Sequence, residues 1–295
     1  MDLYSSVEST IGERMNYRQF GRTKLQISEV SLGGAYLMGP HPAQAEDNAR
    51  QVVKSALALG INYIDTAPLY GMSERLLGQA LEGIADQFHL ATKVGLEPED
   101  FDYSADSVLW SMDRSLKRLQ IPKLTLAQIH EVNVANWDRI MSPDGALSGL
   151  RQAQQKGVCD FIGITARAIP LLAELAETGE FDTVLVYHDY HPACLTATKT
   201  VIPTATKQRM GIVVATVLAG GLYTDRHQQV LTEISDSAER QRVTQILQKL
   251  QVDDYTLPQN AFRFVLADKR VTTVSTGAAN ISQLTEVVKA SALGH

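Results

Sequence analysis

The sequence predicts a (β/α)8 barrel, and three observations lead there. Eight short runs rich in β-branched or apolar residues recur along the 295 residues. Amphipathic stretches of helical spacing separate them, the alternation that builds a parallel sheet. No Pro/Gly/Ser-rich tract and no charge block breaks the sequence into separate parts. A doubly wound sheet is the other fold with this alternation. It would place a G-x-G-x-x-G turn after the first strand, and that turn is missing. G-x-x-x-x-G-K-[ST] and G-x-S-x-G are missing as well.

The elements follow in order. The first strand is read at 29–32, and the next helix at 45–59, where Val52, Val53, Ala56 and Leu59 share one face. Strands at 62–65 and 89–93 come next, then a helix at 107–119 with Val108, Met112, Leu116 and Leu119 on one side. The remaining strands are read at 124–130, 161–165, 183–187, 211–215 and 271–275. Residues 1–14 are polar and aperiodic and read as a tail, leaving 15–295 as a single barrel domain. The stretch 222–235 is polar and reads as a mobile loop, long enough to fold over a cofactor.

Composition narrows the function. Lys+Arg number 27 and Asp+Glu 33, a net charge of −6. Apolar residues at 44% and charged residues at 20% are globular values. No basic stripe is available for phosphates, so nucleic acid is not an expected partner. The longest near-apolar run, 211–223, is far short of the roughly 20 residues that span a bilayer, and the first residues lack the pattern of a secretory signal. Two cysteines, Cys159 and Cys194, do not make a disulfide framework or a zinc site. The expectation is a soluble cytoplasmic protein with no membrane partner.

A barrel of this kind carries its chemistry at the C-terminal ends of its strands. Four polar residues fall there: Asp65, Tyr70, Lys93 and His130. Singly, each has an ordinary explanation: a helix cap, loop packing, a solvated lysine, a core histidine. Together, on three successive strands, they are a proton-transfer set. A phenol titrates near 10, too high for efficient acid-base work, and a nearby ammonium favours its ionised form. A carboxylate would hold that ammonium in place, and an imidazole would hydrogen-bond a substrate oxygen. Such a set moves a proton at oxygen while a hydride moves at carbon.

Further motifs give the chain a family likeness. Phe20-Gly21-Arg22-Thr23 leads to Val30-Ser31-Leu32-Gly33-Gly34, and Asn62 to Gly71 reads NYIDTAPLYG with Ser73-Glu74 and Leu77-Gly78 beyond it. Ala91-Thr92-Lys93-Val94-Gly95, Ser115 to Leu119, Ile129-His130 and Ile162 to Thr165 follow in order. From about Met15 onward the chain resembles the aldo-keto reductase family. The resemblance maps the family's Asp-Tyr-Lys-His tetrad onto Asp65, Tyr70, Lys93 and His130, with Tyr70 as general acid in reduction and general base in oxidation. Within the family the chain is similar to the branch of L-galactose dehydrogenase and D-threo-aldose 1-dehydrogenase, through Phe101 to Ala105, Gly163-Ile164-Thr165 and Leu185-Val186-Tyr187. That branch oxidises sugars at C1 to lactones.

The resemblance also implies a cofactor site built from Gly34, Ala35, Thr165, Tyr187, Thr216, Leu218, Gly220, Gly277, Gln283 and Glu286. Thr165, Ala166 and Tyr187 stand where the family commonly has Ser, Asn and Gln around the carboxamide. Thr216-Val217-Leu218 replaces Ser-Pro-Leu. Members that prefer NADP usually carry Lys and Arg where Gly277 and Gln283 stand, so the resemblance implies NAD, with NADP as the alternative unless Lys289 or Arg263 supplies the missing charge. Glu286 matches the family's adenine-contacting Glu. No metal is expected: strand alternation would send His188 and His191 to opposite faces. His191 or Tyr190 is expected at the substrate mouth instead. Trp110 reads as packing, and Trp137 equally as packing or a substrate wall.

The expected partner is a small carbonyl compound or sugar, and the expected state a monomer or weak homo-oligomer. The readings that compete with aldose oxidation are an NADPH-dependent aldehyde or ketone reductase, a Schiff-base lyase using Lys93, and a non-catalytic cofactor-binding barrel.

Overall fold

A computed structural model describes residues 15–84, 88–99, 101–251 and 254–292. The proposed tail 1–14 lies outside the described residues.

Eight parallel strands close into a barrel, as the alternation predicts. They are β3 (Val30–Gly33), β4 (Tyr63–Asp65), β5 (His89–Val94), β6 (Leu124–Ile129), β7 (Cys159–Ala166), β8 (Thr183–Tyr187), β9 (Gly211–Ala215) and β10 (Thr273–Thr276). Each pairs with the next, and β10 pairs with both β9 and β3 to complete the ring. Bounds differ from the sequence reading by no more than two residues at either end.

Period-two alternation sorts the side chains into two cores. Phe20, Ile27, Tyr63, Ala91, Leu126, Leu185 and Val213 fill the barrel interior. A larger cluster lies between the barrel and its helices. There, α1 (Ala45–Ala58) buries Ala45, Ala49, Val52, Val53 and Ala56, one stripe at helical spacing. Helix α2 (Ser73–Ala80) follows β4, and α3 (Ala105–Leu119) starts where the Ser104 hydroxyl accepts from the Ser107 N–H. The later helices are α4 (Trp137–Met141), α5 (Ala146–Gln155), α6 (Pro170–Glu177), α7 (Thr196–Lys199), α8 (Val201–Lys207), α9 (His227–Glu233), α10 (Ser237–Leu250), α11 (Leu257–Leu266) and α12 (Ile281–Ala292).

Three features depart from the sequence reading. A hairpin of β1 (Tyr17–Gln19) and β2 (Gln26–Ser28) precedes the barrel, where motif residues alone were read. Its turn drives Phe20 against Tyr63, with ring centroids 5.4 Å apart. Any side chain at Gly211 would collide with the Phe20 ring. Second, 222–235 is not simply a loop: α9 occupies its middle, anchored by buried Leu231. Third, Trp110 is exposed on α3, with the Arg114 guanidinium 4.4 Å from its ring centroid.

No helix among the described residues is long and apolar enough to cross a membrane. Cys159 and Cys194 are both free.

Candidate active site

The strand ends of β4, β5 and β6 bring the four expected residues to one mouth. Asp65 is the last residue of β4 and Lys93 lies near the end of β5, both on inward positions and both buried. Lys93 Nζ donates to Asp65 Oδ2 at 2.5 Å and to the Thr66 carbonyl at 2.8 Å. Burial disfavours the ammonium, but the Asp65 carboxylate and Tyr70 outweigh it and hold the Lys93 pKa above its ordinary value. A lysine kept charged is a poor imine former, which argues against the Schiff-base reading.

Tyr70 sits in the turn after β4, whose backbone is closed by Tyr70 N–H donating to the Ala67 carbonyl at 3.0 Å. Its ring lies 4.8 Å from Lys93 Nζ and 6.0 Å, edge to face, from the His130 ring. His130 follows β6, tied by its N–H to the Val94 carbonyl at 2.9 Å. Burial, then the positive charge of Lys93, pushes the His130 pKa well below the ordinary range. The ring is therefore neutral near pH 7 and offers one N–H.

Two residues beside the tetrad escaped the sequence reading. Gln128, fully buried one strand period before His130, donates from Nε2 to Asp65 Oδ1 at 2.7 Å. Each oxygen of the buried carboxylate thus has its own donor. Glu131 follows His130, and its Oε2 accepts from the Tyr187 hydroxyl at 2.7 Å. Period-two alternation from His130 would have found Gln128. Adjacency to a strand-end histidine was the only signal for Glu131.

The expected cofactor residues sit at or after the C-terminal ends of β3, β7, β8, β9 and β10. Thr165 points inward at the end of β7, and its hydroxyl is 3.4 Å from the Glu131 N–H. Tyr187 ends β8, half-buried beside Glu131. Ala166 belongs to the outer core, so its lack of a polar group falls outside the mouth. Gly34 is buried, and its carbonyl accepts from Ser73 Oγ at 2.8 Å. Ala35 is exposed beside it in a short 3-10 turn. Thr216, Ala219, Gly220 and Gly221 all have positive φ, so the chain after β9 is sharply curved around half-buried Leu218. The stem of Arg226, a residue sequence reasoning missed, runs alongside Gly221. Tyr36 packs its ring on Gly277. Gln283 Oε1 accepts from the Ala279 N–H at 2.9 Å, fixing the last loop, and Glu286 is half-buried on α12. Arg263 instead stacks on Tyr255, 4.1 Å from its ring centroid.

This donor set fits a nicotinamide dinucleotide. Thr165 would offer a hydroxyl to a carboxamide, Tyr187 a ring face, and Arg226 a cation beside a glycine-rich turn.

The other expectations fare differently. Strand alternation does not govern His188 and His191, because β8 stops at Tyr187 and His188 has φ 60°. No group of three potential metal ligands occurs among the described residues. Tyr190 is not at the mouth. It packs edge to face on Phe264 of α11, and its hydroxyl donates to Asp268 at 3.1 Å. His191 is buried with Nδ1 2.9 Å from the Tyr223 hydroxyl. Trp137 is 40% exposed at the start of α4.

Comparison with known proteins agrees with this geometry. The chain is 30% identical to L-galactose dehydrogenase of Arabidopsis thaliana over 288 residues, covering 94% of this chain and 88% of that relative. It is 26% identical to D-threo-aldose 1-dehydrogenase of a Pseudomonas species over 305 residues, with 91% of each covered. Among solved structures, an aldo-keto reductase from Bacillus halodurans in its holo form superposes with a TM-score of 0.76 at 26% identity, covering 94% of this chain and 91% of that one. The model of the Aldo/keto reductase family matches residues 29–294, from just before the first barrel strand to beyond the last. The likeness therefore spans the whole barrel, and the chain belongs to the aldo/keto reductase family of NAD(P)-dependent oxidoreductases.

Proposed function

We propose that the protein oxidises an aldose at its anomeric carbon to the lactone, using NAD. The observation that carries this reading is the Asp65–Lys93 pair beside Tyr70, with a neutral His130 across the mouth. Similarity to two aldose dehydrogenases supports the sugar. The absence of a basic side chain from 276–286 supports NAD, because a ribose 2′-phosphate needs cationic donors.

In this reading Tyr70 Oη takes the proton from the C1 hydroxyl. Lys93 keeps its charge next to that oxygen throughout, because Asp65 and the Thr66 carbonyl leave it no freedom to turn away. His130 orients the reacting oxygen through its single N–H. A bound nicotinamide accepts the hydride. Tyr187 and Thr165 would hold the nicotinamide, and Arg226 would supply a cation for the diphosphate.

Titrating the protein with NADH and NADPH, followed by fluorescence, should show tighter binding of NADH. Tyr70→Phe should bind NADH as the wild type does and lose roughly 10²–10⁴-fold in turnover of aldose. Near-wild-type turnover in that variant would overturn the assignment of Tyr70. Preference for NADPH would move the reading to aldehyde reduction.

A further inference from the structure

Among the described residues, Glu131 is a charged group beside His130 that the proton-transfer set leaves unexplained. It adopts φ 50°, a conformation that costs free energy in a residue with a side chain and persists only where the surroundings enforce it. Those surroundings are specific. Tyr103 Oη lies 2.8 Å from the His130 carbonyl oxygen and 3.0 Å from that of Glu131. The Val134 N–H donates to the same Glu131 carbonyl at 2.8 Å. Tyr103 itself fits only because Gly95, at φ 92°, has no side chain; a Cβ there would stand 2.7 Å from its ring.

The carboxylate so placed has one oxygen engaged and one facing the site. Oε2 accepts from Tyr187, while Oε1 lies 3.9 Å from His130 Nε2, beyond hydrogen-bond length. The side chain is 20% exposed. No lysine or arginine among the described residues is paired with it. Nearby, Lys93 and Asp65 cancel, His130 is neutral, and the Arg167 guanidinium is taken by Asp189. Beside the histidine that faces the substrate, the mouth therefore carries a negative charge with no cation paired to it among the described residues.

Resting on the reading of an aldose substrate, we propose that Glu131 determines specificity. Its free oxygen accepts a hydrogen bond from a hydroxyl adjacent to the reacting carbon of an uncharged polyhydroxy substrate. The same charge turns away sugars that bear phosphate or carboxylate. A carboxylate oxygen is acceptor-only, and hydroxyl-to-carboxylate bonds are short and strong. Two like charges roughly 6 Å apart in a partly solvated site repel by an amount worth about 100-fold in binding.

The test compares kcat/KM with NAD for a neutral aldose, its 6-phosphate and the matching uronic acid, in wild type, Glu131→Gln and Glu131→Asp. The wild type should favour the neutral sugar by about 100-fold or more. Glu131→Gln should shrink that preference about 100-fold, nearly abolishing it, and raise KM for the neutral sugar with kcat nearly unchanged. Glu131→Asp should restore rejection of the anions while KM stays high. An unchanged preference in Glu131→Gln would overturn the proposal even with aldose turnover intact. If the wild type oxidises no aldose, the C1-oxidation reading falls by itself. Reduction of glyceraldehyde against glyceraldehyde 3-phosphate in the same variants then decides the role of Glu131 on the same ratio.

Discussion

Gln128 shows how much a single buried amide can contribute at this site. Its Nε2 satisfies the oxygen of Asp65 that Lys93 does not use, at 2.7 Å in full burial. Gln128→Leu keeps the volume and removes the donor, leaving a buried carboxylate oxygen unpaired, a change of about 1–3 kcal/mol. The expected result is a fall in kcat of roughly tenfold, with NADH affinity unchanged and a displaced pH–rate profile, measured by steady-state kinetics. An unaltered profile would mean that Gln128 only packs. The tetrad was legible in the sequence because each member sits in a recognisable strand-end motif. Alternation from His130 marks Gln128 as inward, but its role and that of Glu131 were not legible, because they depend on which atoms face each other across the barrel.

Helices α2 and α3 are clamped to β5 by a buried charge network. Glu74 accepts from Thr92 at 2.7 Å and from Arg118 at 2.9 Å. Glu97 accepts from Ser111 at 2.8 Å and from Arg118 at 2.9 Å. One arginine thus serves two carboxylates, each buried. Removing one partner of a buried ion pair costs more than the pair contributes. Arg118→Met should destabilise the protein by about 3 kcal/mol, read as a lower Tm, and adding Glu74→Gln should recover part of the loss. Additive losses in the double variant would refute the coupling. At this scale the eight barrel strands were legible, because each is a short run rich in β-branched or apolar residues between helical stretches. The hairpin was not: β1 and β2 have three residues each, and β1 is largely exposed, too short and too polar for alternation to register. Helix α9 was hidden by polar composition, with Leu231 as its single buried anchor.

Across the whole molecule, four histidines, His89, His130, His188 and His191, resist protonation in the folded state. Burial, then the neighbouring His188, lowers the His191 pKa to about 4, and His89, His130 and His188 are lowered as well. In the unfolded chain these rings titrate near 6.5. As pH falls below that value the unfolded chain takes up protons that the folded one refuses, so stability declines toward pH 4. His191 alone accounts for about 3 kcal/mol across that window. Calorimetric scans should show Tm dropping between pH 7 and 4.5, with a shallower drop in His191→Asn. A Tm independent of pH over that range would contradict the linkage.

The hairpin beneath the barrel bears on how the protein is made. Arg18 donates to the carbonyls of Leu266, Asp268 and Val271, and Arg22 to those of Gly179 and Phe181. Phe20 rests on the backbone of Gly211. Every one of these partners leaves the ribosome long after the hairpin does. During vectorial synthesis these contacts therefore wait for the later half of the barrel, and β10, which closes the ring, is the last of the eight strands to emerge. Seating the hairpin therefore requires closing a loop of more than half the chain, which makes it a non-local and entropically costly contact.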